Sequence, residues 1–260
     1  MRYILLFFTC LLILAGCTNN DTSTKEKETA EIFVSAAASL SDAITEIKNV
    51  YEAENPGSTI TLNFGGSGKL AQQIQQGAPV DVFLSANQNW MDVLEGEKLI
   101  LEDTRTNFTK NSLVMIGKKD ATLNLDSFKD MNHDTLNQIA IGNPESVPAG
   151  NYAKEVLETL NKWDELKDKF VYAKDVSQVL AYVESGNTEI GFVYSSDVLR
   201  SDKVEIIDEA DQNWHSPIVY PAAVTSSSDH NKEASSFVKF LQSDKAQSIL
   251  AENGFTKNTQ

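Results

Sequence analysis

Residues 31–51 read EIFVSAAASLSDAITEIKNVY, an apolar run that passes through a turn of small residues into a helical pattern. Beyond the turn, Ala43 and Ile47 fall on one face of a helix. The stretch predicts a strand, a tight turn and an amphipathic helix that begins near Ser39. Such a position combines unpaired backbone N–H groups with a hydroxyl donor, so it can hold an anion. From this turn alone, the simpler interpretation is that Ser39 caps the helix, because the segment up to Asp42 fits a capping box.

The same unit recurs along the chain. A second alternating strand ends at Phe64 and runs through Gly-Gly-Ser-Gly-Lys into a helix, which places Ser67 where the first turn placed Ser39. A third apolar run, 80–86, precedes another helical stretch. Strands that alternate with helices predict an α/β protein with mainly parallel sheets flanked by helices. Ligands of such folds bind at the carboxyl ends of the strands.

A second alternating series begins after the polar run 102–111. We therefore predict two lobes joined by a hinge of two crossings, one near 105–112 and one in the returning strand 218–224. Lobe 1 is predicted to contain residues 31–108 and 218–260, and lobe 2 residues 109–217.

Three positions in the second series are also expected at a helix start or at the carboxyl end of a strand. Pro148 is expected near a helix start, which would leave the amide of Ala149 free. Asp175 is expected to cap the helix that opens with Val176, and a cap explains its carboxylate better than a role as acid or base. The hydroxyl of Tyr194 is expected near the carboxyl end of a strand, although a tyrosine there more often belongs to the core.

The amino terminus has the pattern of an export signal. Residues 1–16 contain Arg2 and a nearly continuous apolar run, and residues 14–17 read LAGC, which resembles a bacterial lipobox. Cys17 would then be acylated, with palmitate, and hold the protein on the outer face of the cytoplasmic membrane. An ordinary cleaved signal and an uncleaved anchor are the alternatives. The rest of the segment 17–30 is polar and predicts a flexible tether. Beyond Cys17 the sequence has no cysteine, so no disulfide is expected in the fold.

Charge and motif patterns argue against several other functions. The net charge is −15, and −16 without the signal, so a nucleic-acid partner is disfavoured. The turn at Ser67 is not a nucleotide-binding loop, because Leu70 replaces the hydroxyl residue that would bind magnesium. The serines lack the G-x-S-x-G context, and no enzyme signal is present. A metal site is not expected, because the three histidines stand apart from other ligand residues: His133, His215 and His230.

Together, several stretches resemble the molybdate-binding proteins of bacterial ABC importers, the ModA type, which have a type II periplasmic-binding-protein fold. The matching pieces are AAASL at 36–40, QGAPVDVFLSA at 76–86, GNPESVPAG at 142–150 and GFVYSSD at 191–197. The resemblance implies a tetrahedral oxyanion held between two lobes by neutral donors. The positions that it assigns are Ser39, Ser67, the backbone amides of Ala149 and Val176, and the hydroxyl of Tyr194. In the second turn, Gly66 and Gly68 stand where many relatives carry serines, and Lys69 would add charge near the site.

The resemblance implies a monomeric capture protein that takes up molybdate or tungstate and delivers it to an ABC permease and its ATPase. Molybdenum would enter only as the oxyanion, without direct side-chain coordination, and no cofactor is expected. A site made only of donors suits a fully deprotonated dianion, so monohydrogen phosphate should be rejected. A binding protein for another oxyanion, such as sulfate, is the alternative, and a secreted serine hydrolase using Ser39 is the alternative from another class.

Overall fold

The computed structural model describes residues 30–258. The predicted signal peptide, Cys17 and all of the predicted tether except Ala30 lie outside the described residues. In the described part, no helix combines the length and the apolar character that crossing a membrane requires.

Strands and helices alternate along most of the chain. The strands are β1 (Ala30–Ala37), β2 (Ser58–Gly65), β3 (Val82–Leu84), β4 (Thr106–Lys110), β5 (Leu113–Lys118), β6 (Ile139–Gly142), β7 (Phe170–Ala173), β8 (Ile190–Tyr194), β9 (Val204–Glu209), β10 (Val219–Val224) and β11 (Thr256–Lys257). The helices are α1 (Ser41–Glu54), α2 (Ser67–Gln75), α3 (Gln88–Gly96), α4 (Pro148–Thr159), α5 (Trp163–Leu166), α6 (Val176–Glu184), α7 (Ser195–Val198), α8 (Asn231–Phe240) and α9 (Asp244–Glu252).

The first sheet has the strand order β11-β4-β10-β3-β1-β2 and forms the centre of lobe 1. β1 pairs in parallel with β2 and β3, as the repeated strand–turn–helix pattern predicts. The strands that enter from later in the chain, β10, β4 and β11, pair antiparallel. Ile32 and Val34 of β1 are buried. The parallel strands therefore carry the apolar side chains of the core.

The second sheet has the order β7-β6-β8-β5-β9 and forms the centre of lobe 2. β6 pairs in parallel with β7 and β8, whereas β5 pairs antiparallel with β8 and β9. Two α/β lobes flanked by helices match the type II periplasmic-binding-protein fold. Both sheets are mixed rather than parallel throughout, because the strands that follow each crossing return in the opposite direction.

The first crossing lies at residues 111–112, between β4 and β5, and the second lies between β9 and β10. The predicted boundary at 108/109 falls inside β4, which pairs with β10 and so belongs to the first sheet. Sequence patterning missed β4 because the segment is polar; only Phe108 and Thr109 are buried. The neighbouring strands stabilise it, not its own apolar alternation.

Of the three predictions made for helix starts, the structure confirms two and contradicts one. Pro148 occupies the first turn of α4, as predicted. The side chain of Asp175 accepts a hydrogen bond from the Gln178 N–H at 2.9 Å, which confirms the predicted cap of α6. The capping interpretation of Ser39 is wrong: Ser39 lies in a short 3-10 turn before α1, and α1 has no side-chain cap. Its hydroxyl has another partner.

Candidate functional site

The carboxyl ends of β1 and β2 in lobe 1 face those of β6, β7 and β8 in lobe 2 across a small cavity, whose empty space is about 190 Å³ with the solvent at its mouth included. All five residues that the sequence predicts line it, and each is at most 4% exposed. The cavity is lined by Ala37, Ala38, Ser39, Gly65, Ser67, Ala86, Val147, Pro148, Ala149, Asp175, Val176 and Tyr194. A larger surface groove of about 900 Å³ lies beside β4, but its Arg105 is already paired with Asp92 and Glu95. The strand ends therefore single out the small cavity.

Each of the two serine hydroxyls has a hydrogen-bond partner on the side away from the cavity and a proton available on the side facing it. Ser67 Oγ accepts a hydrogen bond from the backbone N–H of Ala86 at 3.0 Å. Because an N–H can only donate, the Ser67 hydroxyl keeps its own proton for a ligand. Ser39 Oγ lies 3.0 Å from the phenol oxygen of Tyr220. Both serines can therefore act as donors toward the cavity.

Lobe 2 presents two backbone amides at helix starts. Ala149 is the second residue of α4 and Val176 the first of α6. N–H groups in the first turn have no carbonyl one turn earlier within the helix, so they are free to bind an anion. The start of α4 also lies close against β6: a Cβ added to Gly150 would lie 1.9 Å from the Gly142 carbonyl oxygen. Only glycine at 150 allows α4 to hold the Ala149 amide at this position.

The fifth donor is the phenol of Tyr194, which ends β8. Its hydroxyl is buried and has no hydrogen-bond partner in the described part of the chain. Burial raises the pKa of this phenol well above its ordinary value of 10, so the group keeps its proton at neutral pH. A buried, unpaired hydroxyl costs free energy. A ligand in the cavity would satisfy it.

The cavity lining contains no cationic side chain. Lys69 is exposed on α2 and is absent from the lining, so its ammonium group does not line the cavity. Asp175 lines the cavity, but its carboxylate is engaged as the cap of α6. Electrostatic attraction for an anion must therefore come from the dipoles of helix starts and neutral hydroxyls. The net negative charge of the chain also makes such local dipoles necessary.

The lobes touch each other beside the cavity. The backbone N–H of Gly68 in lobe 1 donates to the carbonyl of Ser146 in lobe 2 at 2.9 Å. A Cβ added at Gly68 would lie 2.8 Å from Ser146 Cα, and one at Gly66 would lie 2.8 Å from the Lys174 carbonyl oxygen. The glycines that depart from the serine-rich pattern of many relatives therefore let the two backbones meet.

An ion pair between a buried carboxylate and a partly exposed guanidinium lies behind Tyr194. One carboxylate oxygen of Asp197 accepts the Tyr194 N–H at 3.1 Å, and the other lies 3.5 Å from the Arg200 guanidinium. The same guanidinium lies 3.5 Å from Asp42 on α1, so it bridges the lobes. Burial raises the pKa of Asp197 to about 6, against the smaller opposing effects of the Tyr194 N–H and Arg200.

The sequence did not predict the residues that form hydrogen bonds with the hydroxyls of the two site serines. Ala86 follows a predicted strand, but the role of its backbone N–H depends on where β3 lies relative to α2. Tyr220 lies in the returning strand β10, 181 residues from Ser39. The one usable signal was the position of Tyr220 in a predicted crossing, because crossings of a two-lobed fold pass beside the cleft.

Comparison with known proteins agrees with this geometry. Residues 32–256 match the family "Bacterial extracellular solute-binding protein". The chain belongs to this family. The solute-binding protein is 44% identical over 248 residues to the lipoprotein YvgL of Bacillus subtilis, provisionally named an ABC transporter substrate-binding protein, with 95% of each chain covered. It is 36% identical to the molybdate-binding protein ModA of Haemophilus influenzae, covering 87% of this chain and 90% of ModA.

A solved structure gives the same result. The substrate-binding domain of a provisionally named molybdenum ABC transporter from Clostridium difficile is 46% identical to the solute-binding protein. It covers 88% of this chain and 99% of its own, with a TM-score of 0.68. The chain is therefore a homologue of ModA-type proteins. These relatives are binding proteins of transport systems and not enzymes, which removes the serine-hydrolase alternative.

Proposed function

We propose that the protein captures molybdate or tungstate between its lobes and delivers it to an ABC permease driven by an ATPase. The observation that carries the proposal is that five neutral donors line one small cavity: the hydroxyls of Ser39, Ser67 and Tyr194 and the amides of Ala149 and Val176. The names of the Haemophilus and Clostridium relatives support molybdenum as the element.

The donor set also supports a choice among tetrahedral oxyanions. Molybdate and tungstate are fully deprotonated dianions, so donors satisfy them completely. Monohydrogen phosphate carries a proton that needs an acceptor, whereas all five assigned groups are placed as donors. Sulfate is smaller, so it would leave some donors beyond the 2.7–3.2 Å range of a good hydrogen bond. We therefore propose that the protein binds the oxyanion through hydrogen bonds alone, without a cofactor and without a side chain that coordinates molybdenum.

Isothermal titration in one buffer with molybdate, tungstate, sulfate and phosphate tests the proposal. The chain from residue 18 onward is suitable, because residues 30–258 contain both sheets and the whole cavity lining. We expect tight one-to-one binding of molybdate and tungstate and weak or no binding of the other two. Equal affinity for sulfate would favour the alternative ligand, and absence of binding by all four would contradict the proposal.

Ser39→Ala and Ser67→Ala should each weaken molybdate binding about ten- to a hundredfold. Each variant removes one buried donor to a charged ligand, which costs about 1.5–3 kcal/mol. Titration of both variants measures the loss. Ser35→Ala is the matched control, since Ser35 is a buried serine of β1 that bonds Asn63 and does not line the cavity. If Ser39→Ala and Ser67→Ala both bind like the wild type, the assigned site is wrong.

We also propose that an acylated Cys17 anchors a monomer on the outer face of the cytoplasmic membrane. The LAGC segment at 14–17 supports this, and so does the relative YvgL, which is named a lipoprotein. The polar segment that follows would let the lobes reach a permease while the lipid stays in the membrane. Mass spectrometry of the N-terminal peptide should show a diacylglyceryl adduct on Cys17; an unmodified Cys17 at the mature N-terminus would contradict it.

A further inference from the structure

A chain of hydrogen bonds lies behind Ser39, and its first member, Asn111 in the first crossing, has a fixed orientation. The Asn111 side-chain oxygen accepts from the backbone N–H of Ser112 at 2.9 Å and from the Ser195 hydroxyl at 2.8 Å. A backbone N–H can only donate, so the atom that faces it is the amide oxygen. The NH₂ group of Asn111 therefore points the other way, toward Ser196 Oγ at 2.8 Å and the Tyr220 phenol at 3.4 Å.

The direction continues through Tyr220. Its oxygen accepts from Asn111 at 3.4 Å, which leaves its single proton available for Ser39 Oγ at 3.0 Å, a contact in which either hydroxyl can donate. Tyr220 is fully buried, and this burial raises the pKa of the phenol well above 10, so the proton stays in place. A β-bulge between Tyr220 and Pro221 interrupts the pairing of β10 with β4. Bulges of this kind re-aim a side chain, here from the strand toward the cavity.

We propose that Tyr220 is a positioning residue for the oxyanion: it donates to Ser39 Oγ and thereby fixes the Ser39 hydroxyl as a donor toward the cavity. The inference rests on the proposed function. Ser67 shows the same arrangement independently, because the Ala86 N–H donates to its oxygen from behind. In both turns the serine accepts from the protein, so its own proton is left to donate to the ligand.

A hydroxyl that is held in this way discriminates between ligands by their protons. A dianion accepts the Ser39 proton directly. A protonated oxyanion such as monohydrogen phosphate must also donate, and a Ser39 hydroxyl oriented by Tyr220 faces it with a proton instead of a lone pair. Without the phenol proton, the Ser39 hydroxyl is free to rotate and accept. Tyr220 therefore contributes to selectivity as well as to affinity.

Tyr220→Phe tests the proposal, because it removes the phenol oxygen and keeps the ring that packs against Phe255 and Tyr194 at centroid distances of 5.5 and 5.8 Å. We expect the Kd for molybdate to rise about tenfold and the ratio of phosphate to molybdate affinity to increase. The decisive measurement is a double-mutant cycle with Ser39→Ala. If Tyr220 acts through Ser39, Tyr220→Phe causes no further loss in the Ser39→Ala background. A merely structural role would give the same loss in both backgrounds and would overturn the proposal.

Tyr51→Phe is the matched control. Tyr51 is also a buried tyrosine, but its hydroxyl contacts the Glu233 carbonyl at 3.5 Å, away from the cavity. Its Kd for molybdate should equal that of the wild type, and a tenfold loss there would overturn the site-specific interpretation. Should Tyr220→Phe not fold, Asn111→Ala takes its place in the same cycle, with a smaller loss that again vanishes in Ser39→Ala; an additive loss overturns the proposal.

Failure of this inference is distinguishable from failure of the proposed function. A wild-type protein that binds neither molybdate nor tungstate would overturn both. Tight binding by the wild type together with unchanged binding by Tyr220→Phe would overturn the role of Tyr220 alone.

Discussion

Gly68→Ala should abolish tight binding of molybdate while leaving the unliganded protein folded. The added Cβ would lie 2.8 Å from Ser146 Cα and 2.6 Å from the ring of Trp90. The ring of Trp90 is partly exposed and can rotate away. Ser146 Cα is backbone of the other lobe, so it can move away only if the lobes separate.

Separation of the lobes removes several donors at once. Lobe 2 supplies three of the five proposed contacts, from Ala149, Val176 and Tyr194. At about 1.5 kcal/mol or more for each bond to a charged group, their loss weakens binding at least about a thousandfold. Within lobe 1, the helical backbone of α2 accepts alanine at position 68, and only the side chain of Trp90 has to shift.

Titration with molybdate measures the loss, and small-angle X-ray scattering reports lobe closure. The radius of gyration of the wild type should fall when molybdate is added, and that of Gly68→Ala should not. Gly96→Ala is the control, because Gly96 also lies in a helix and no atom lies within 4 Å of an added Cβ. Binding by Gly68→Ala within tenfold of the wild type would contradict the role assigned to the Gly68–Ser146 contact.

Between pH 3 and pH 7, the free energy of unfolding of Asp197→Asn should rise by about 3 kcal/mol relative to the wild type. Burial raises the pKa of Asp197 in the folded protein to about 6, from 3.8. Between these values the folded protein keeps the proton and the unfolded chain has lost it. The contribution of Asp197 to stability is therefore greatest below pH 4, falls as the pH rises to 6, and then stays constant. Asparagine does not titrate, so the variant lacks this decline.

Urea unfolding at several pH values measures the difference between the two proteins. Only the slope of this difference with pH is diagnostic, because loss of the contact with Arg200 adds a constant offset. Asp120→Asn, at an exposed turn, shows the effect of removing a carboxylate without burial. A difference between Asp197→Asn and the wild type that does not change with pH would show that the buried carboxylate is fully compensated by the Tyr194 N–H and Arg200.

Much of the site could be predicted from the sequence because its parts are local. A strand followed by small residues and a helix places Ser39 and Ser67 at strand ends, and Pro148 and Asp175 mark the starts of α4 and α6. Parallel strands bring their carboxyl ends to one edge, so local signals are enough to gather the donors at the cleft.

The parts that could not be predicted depend on contacts between distant segments. Ser39 fits a capping box, yet its hydroxyl contacts Tyr220, which no local pattern can show. Lys69 lies two residues after the site serine Ser67, but helix geometry turns it outward to solvent. β4 forms only because β10 and β11 flank it. The approach of Gly68 to Ser146 depends on how two separately folded lobes meet.

Because of the two crossings, the sheets of the two lobes can form at different stages of folding. Every strand of lobe 2 lies between residues 113 and 209, so that sheet can be completed while the rest of the chain is still being made. Lobe 1 pairs β3 with β10 and β4 with β11, across more than a hundred residues in each case. Closing such long loops is slow and comes late. The Ser39 turn, near the start of the fold, therefore acquires its partner Tyr220 only after lobe 2 has emerged.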